Sequence, residues 1–305
     1  MRYCRVVMAI LTTRALGKRY GTNVGVEDVN LEVQSGAIFG FLGPNGAGKT
    51  TAIRLLLGFL KPTSGEARIL GLDCWRQSHL IKHDVGYLAG DVRLYPWLTV
   101  RNALPILAGA RKRNLDAAGL ALAERFALDP DKPVRKMSRG MRQKLGLILA
   151  LAHESKLIVL DEPTSGLDPL MQLNLADLLR ERAADGCTIF FSSHTLSEVE
   201  QLCDRVAIVR EGRIVTDEPL DEMRRRARRR VEVRFETEAD AAAAVPPEHL
   251  EIVHRDKDRW HAEFDGEAGS LTRWLGAQSI RDFTIGPPDL ETIFRAFYRP
   301  EQESS

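Results

Sequence analysis

The sequence contains no apolar run approaching the roughly 18 residues that a membrane-spanning helix needs. Its most apolar stretches, 145–152 and 157–160, fall far short, so the chain is not expected to cross a bilayer. It also lacks an excess of charge of either sign. Its 43 basic and 42 acidic side chains leave a formal net charge of +1, which gives no overall signal for nucleic acid or for an acidic partner. The four cysteines, Cys4, Cys74, Cys187 and Cys203, form no C-x-x-C pair. Zinc ribbons and disulfide frameworks are therefore not indicated, and a reducing cytosol is the simplest home. Residues 1–11 hold two arginines and a short apolar run but no polar spacer or cleavage site. No signal peptide is read there, and Met8 is an alternative start. Heptads and internal repeats are missing as well.

What remains is ordinary globular composition, 44% hydrophobic and 28% charged over 305 residues, enough for a main domain of roughly 200 residues and a smaller one. Residues 37–42 read as a strand leading into a glycine loop, 50–60 as a helix and 85–88 as a short strand. This is an α/β pattern with antiparallel additions. Helical spacing over 99–126 predicts a mostly helical insertion, about 91–152 in full, with Pro105 ending or kinking a helix. The run 157–160 suits a strand buried on both faces, with 187–192 as its neighbour. Residues 205–216 read as a hairpin turning at Glu211 and Gly212. Six arginines fall within 224–230, just before the alternating Val231, Val233 and Phe235.

These changes in pattern place a main α/β domain at 9–222, a basic linker at 223–230 and an accessory α+β domain at 231–305. In the accessory domain a strand, a helix near Ala241, two strands flanking 256–258, a helix around Leu271, a strand near Phe283 and a helix from Asp289 suggest a ferredoxin-like order. The arginine run reads as a solvated linker helix. Contact with anionic lipid or nucleic acid is the alternative, and no binding is assigned to it.

Gly43, Pro44, Asn45, Gly46, Ala47, Gly48, Lys49 and Thr50 match the phosphate-loop pattern, between an apolar strand and a helix. Glycines let successive N–H groups turn toward phosphate oxygens, and the helix start adds a favourable dipole. Lys49 adds positive charge, and Thr50 can ligate Mg²⁺. Thr51 is counted with this loop as an ATP-binding residue. Asp161 and Glu162 stand at the carboxyl end of a buried strand, the edge where open α/β sheets bind ligands. Asp161 can complete an oxygen shell around Mg²⁺, and Glu162 can orient or deprotonate water.

Further motifs follow in an order that resembles the ATP-binding cassette (ABC) family over residues 11 to about 220. Met137, Ser138, Arg139, Gly140 and Met141 stand where that family usually has Leu-Ser-Gly-Gly-Gln. The resemblance implies that Ser138 and Gly140 reach the γ-phosphate of ATP held by a second protomer, with two ATP molecules sandwiched between two such domains. On its own, Ser138 reads equally as a helix cap. Ser165, Gly166, Leu167 and Asp168 resemble the family's D-loop, and Asp168 is counted among the ATP-site residues. His194 resembles the switch histidine and joins Glu162 as a catalytic candidate; its alternative is a loop histidine with no special task. Tyr20 resembles the aromatic that stacks on adenine, with a core tyrosine as its alternative. One departure stands out: Gly86, Tyr87, Leu88 and Ala89 are followed by Gly90 and Asp91, where the family commonly has a glutamine that touches Mg²⁺ and the attacking water. Asp91 is the candidate replacement ligand.

The resemblance implies an ABC-type P-loop nucleotide-binding domain with a helical signature subdomain, acting as an ATP hydrolase with ATP and Mg²⁺. It further implies a homodimer, or a pair with a similar subunit, and an integral membrane permease on a separate chain. The location implied is cytoplasmic, peripheral to the inner face of the cell membrane, and no specific nucleic acid is expected. Leu94, Tyr95, Pro96 and Trp97 lie where the family docks its membrane partner, with core packing as the alternative. Residues 138–144 and 289–298 resemble bacterial drug, antibiotic and polysaccharide exporter ATPases, which favours export. The competing function is a soluble ABC-type switch acting on a ribosome, DNA or another protein.

Overall fold

The structure, a computed structural model, describes residues 9–298. Cys4 and the choice between Met1 and Met8 lie outside the described residues. The chain divides into two compact units, Met1–Glu218 and Pro219–Ser305.

The first unit opens with two antiparallel strands, β1 (Ala9–Tyr20) and β2 (Asn23–Gln34). With β4 (Ser64–Ile69) and β5 (Leu72–Asp73) they make a sheet in the order β2-β1-β4-β5. The second sheet is built around β3 (Ile38–Leu42), β7 (Leu157–Asp161) and β8 (Thr188–Ser193), each buried along its whole length. Strands β6 (Val85–Leu88), β9 (Arg205–Arg210) and β10 (Arg213–Pro219) complete the order β10-β9-β3-β8-β7-β6. Unbroken apolar runs suit a parallel centre that is buried on both faces. Phe190 stacks on Phe39 at 5.7 Å and packs at a tilt against Phe41 at 5.4 Å between ring centroids, tying β8 to β3. The β9–β10 hairpin turns at Glu211 and Gly212, as the sequence predicted. Both are left-handed, with φ of 50° and 80°, the geometry a tight two-residue turn requires.

Helix α1 (Lys49–Leu56) is shorter than the expected 50–60. It stops because Gly58 takes a left-handed φ of 66°, and the N–H of Phe59 turns back to the Arg54 carbonyl. After the short α2 (Ser78–Ile81), the helical insertion comprises α3 (Val100–Arg111), α4 (Asp116–Arg125) and α5 (Arg139–Leu151). Pro105, expected to end or kink a helix, does not end one; it lies inside α3. It is exposed, while Val100, Ala103 and Leu104 are the buried residues of this helix, so a single missing N–H bond is tolerated on the solvent side. A reciprocal cap between Thr99 and Asn102 fixes the start of this helix. Two more helices, α6 (Pro169–Ala184) and α7 (Leu196–Leu202), complete the unit.

The second unit runs α8 (Leu220–Arg226), β11 (Arg229–Phe235), α9 (Glu238–Ala243), β12 (Leu250–Asp256), β13 (Arg259–Phe264), α10 (Ala268–Gly276), β14 (Ile280–Pro288) and α11 (Leu290–Tyr298). Its strands lie in the order β12-β13-β11-β14, all antiparallel, a split βαβ arrangement. Val231, Val233, Phe235, Trp260, Phe264 and Leu271 form a separate core. The arginine run is not a free linker: three of its members close α8, and Arg229 and Arg230 open β11. Arg228 bridges Glu251 at 2.7 Å and Glu263 at 3.1 Å, and Arg230 holds Asp289 at 2.9 Å.

Candidate nucleotide site

Strand β3 ends at Leu42 and the chain turns at once into the glycine loop. The loop is pressed onto its neighbours, since a Cβ on Gly43 would lie 2.5 Å from the Val209 carbonyl oxygen and one on Gly48 2.6 Å from that of Gly25. Gly48 also has a left-handed φ of 101°, and α1 begins there without a side-chain cap. Such a start offers its first N–H groups to an anion. Lys49 is only 5% exposed. Its Nζ donates to the Gly43 carbonyl at 2.6 Å and the Pro44 carbonyl at 3.1 Å, and meets Glu162 Oε1 at 3.2 Å.

Asp161 ends β7 and is buried. Its Oδ1 accepts from Ser192 Oγ at 2.7 Å and its Oδ2 from Thr50 Oγ1 at 2.9 Å. Ser192 is its register partner on β8, so the strand pairing itself aims the carboxylate at the loop. The next residue, Glu162, has φ of 49°, and its N–H donates to Ser192. That turn sets the Glu162 carboxylate between Lys49 and His194, whose Nδ1 stands 3.2 Å from Oε2. The carboxyl ends of three neighbouring strands thus bring Lys49, Thr50, Asp161, Glu162 and His194 together. Thr50 and Asp161 form an oxygen pair suited to Mg²⁺, a hard cation that completes its shell with phosphate and water. Among the described residues there is no cluster of three or more His, Cys, Asp or Glu that could make an all-protein cage.

Asp91 is not brought into this site. Its side chain is 72% exposed and pairs with Arg93 at 2.7 Å. The position facing the metal pair is Gly90, where a Cβ would lie 3.2 Å from Asp161 Oδ2. Tyr20 is 46% exposed and is no core residue. Its ring packs over Gly25, where a Cβ would also meet Thr51 of the loop. Ser138 caps α5 by accepting from the Met141 N–H at 3.2 Å, and Asp168 caps α6 by accepting from that of Met171 at 2.9 Å. Gly140 packs against the Gly166 backbone. Tyr95 and Trp97 are exposed and stacked on one another at 5.7 Å, so they are not core packing either.

Two residues of the site were missed from the sequence. One is Ser192, one of two serines that end β8, whose partner Asp161 is set by strand register. The other is Gln143, whose buried amide donates to the Pro163 carbonyl at 2.9 Å and that of Glu162 at 3.3 Å.

A glycine loop folded around a buried lysine, with an acid pair at the next strand end, defines a P-loop nucleoside triphosphatase. Residues 26–165 match the family described as ABC transporter, and the chain belongs to that family as one of its ATP-binding subunits, an ABC-type ATPase. It is 39% identical over 300 residues to the bacitracin transport ATP-binding protein BcrA of Bacillus licheniformis, covering 93% of this chain and 96% of that protein. It is 36% identical to the protein of the same name from Enterococcus faecalis, covering 73% of each. A solved structure of an ATP-binding subunit of an ABC transporter superposes with a TM-score of 0.67 at 30% identity, over 71% of this chain and 92% of that one. Among the described residues no helix is long and apolar enough to cross a membrane.

Proposed function

We propose that this subunit hydrolyses MgATP between two cassettes to drive an exporter whose membrane-spanning part is a separate chain. The observation that carries the hydrolytic reading is the placement of Glu162, 3.2 Å from both Lys49 and His194 beside the Thr50–Asp161 pair. In this reading residues 43–51 hold the phosphates and Tyr20 stacks on adenine. Thr50 and Asp161 hold Mg²⁺, which neutralises charge on the phosphate oxygens when bound. Glu162 orients the attacking water and accepts its proton, and His194 steadies the Glu162 carboxylate while facing the γ-phosphate. Ser138 and Gly140 of a second copy, or of a similar subunit, reach the same γ-phosphate, with Asp168 beside them. ATP drives closure only through contacts that exist in the closed pair and not in the open one. The exposed Tyr95 and Trp97 suit a permease interface. Such a subunit works in the cytoplasm at the inner membrane face. Export is supported by the exporter-like forms at 138–144 and 289–298 and by relatives named for bacitracin transport.

The test is the Glu162→Gln variant, assayed for phosphate release and captured from its native cells with ATP in mild detergent. We expect nucleotide binding to persist, hydrolysis to fall at least about a hundredfold, and a multi-spanning membrane protein to be retained. Retention of only soluble or nucleic-acid partners would replace the transporter reading with the soluble switch.

A further inference from the structure

Position 139 is where this chain gains a functional group that the family pattern lacks, just as position 90 is where it loses one. The side chain occupying it does not point idly into solvent. Arg139 Nη2 donates to Ser165 Oγ at 2.8 Å. The aliphatic stem of Arg139 lies over Gly166, with Cγ 3.5 Å from where a Cβ would stand, and Gly166 holds a left-handed φ of 78°. Beside it, Gly140 approaches the Gly166 carbonyl so closely that a Cβ there would lie 2.5 Å from the oxygen. One helical turn further along α5, Gln143 donates to the carbonyls of Pro163 and Glu162. Positions i and i+4 share a helix face, so the first turn and a half of α5 forms one surface that grips the segment 162–166 at its two ends.

We infer that Arg139 is a positioning residue: its clasp on Ser165 makes the signature turn and the segment beginning at Glu162 move as one piece. Ser138 and Gly140 lead that turn, so whatever orders them also orders the backbone that carries the hydrolytic carboxylate. In this chain Gly90 offers no side chain to link the helical insertion with Asp161, and α5 supplies the link instead. The inference rests on the two-cassette reading above, because the signature turn meets ATP only across such an interface.

A kinetic cycle on the purified full chain tests it. ATP turnover is measured against ATP concentration for the natural chain, Arg139→Ala, Ser165→Ala and the double variant, with Arg139→Lys as the conservative replacement. Loss of one charge-assisted hydrogen bond at an accessible site should lower kcat roughly three- to tenfold while KM for ATP moves less than about twofold. The double variant should be no slower than Arg139→Ala, and Arg139→Lys should recover part of the rate. Losses that multiply in the double variant, or a change confined to KM, overturn the clasp. Thermal unfolding of each variant separates this effect from damage to the fold. Sedimentation of Glu162→Gln with ATP decides the underlying reading separately: a dimer supports it, whereas a monomer removes the two-cassette arrangement and the reason for coupling these segments.

Discussion

At the scale of single residues, the site depends on polar groups satisfying one another in a buried setting. Ser192 is the clearest case, because its hydroxyl supports one oxygen of a carboxylate that is 1% exposed. Ser192→Ala should cost about 1–3 kcal/mol, the range for leaving a buried polar group unpaired, and should lower the unfolding midpoint in calorimetry while weakening MgATP hydrolysis. His153 gives a pH prediction. Burial first, and then the charge of Arg111, push its imidazole down to about 4. Below roughly pH 6.5 the unfolded chain binds a proton that the native imidazole refuses until about pH 4, so stability is lost as pH falls through that window. His153→Gln should unfold with a flatter pH dependence there than the natural chain. Legibility follows the same chemistry. The phosphate loop could be read because its eight residues are contiguous, whereas Ser192 and Gln143 act through strand register and helix packing, which no local motif records. Asp91 misled because adjacency along the chain says nothing about direction; Arg93 draws its carboxylate away.

At the scale of elements, α3 is the informative one. Its proline leaves one backbone acceptor without its helical partner, yet the helix continues on the strength of its cap and buried face. Pro105→Ala should therefore stabilise the protein by up to about 3 kcal/mol, read as a higher denaturation midpoint with unchanged ATP turnover. Strands were legible where their burial is uniform, as in β7, or where two left-handed positions mark a hairpin, as at Glu211 and Gly212. The end of α1 was not, because an apolar run continues through residues 55–60 and hides a stop that only the backbone of Gly58 reveals. The arginine run is largely exposed, as like charges suggest, but sequence could not show its pairings: Arg228, just before β11, meets Glu251 of β12, and Arg230 meets Asp289 at the junction of β14 and α11.

At the scale of the molecule, the two units differ in what they need. The second has its own aromatic core, with Trp260 buried and 5.0 Å from Phe235 between ring centroids. A fragment spanning 219–305 is expected to fold alone, giving a near-ultraviolet dichroism signal from Trp260 and one cooperative unfolding transition. Absence of both would make this unit dependent on the cassette. Within the first unit, the ion pair of Lys49 with Glu162 works as an interlock. The cation at the heart of the loop already has a counter-charge in its own chain, and an arriving triphosphate must take that place. In the hydrolytic function proposed above, the carboxylate it displaces is the one assigned to water, so the base would be set free by the molecule it is to help cleave.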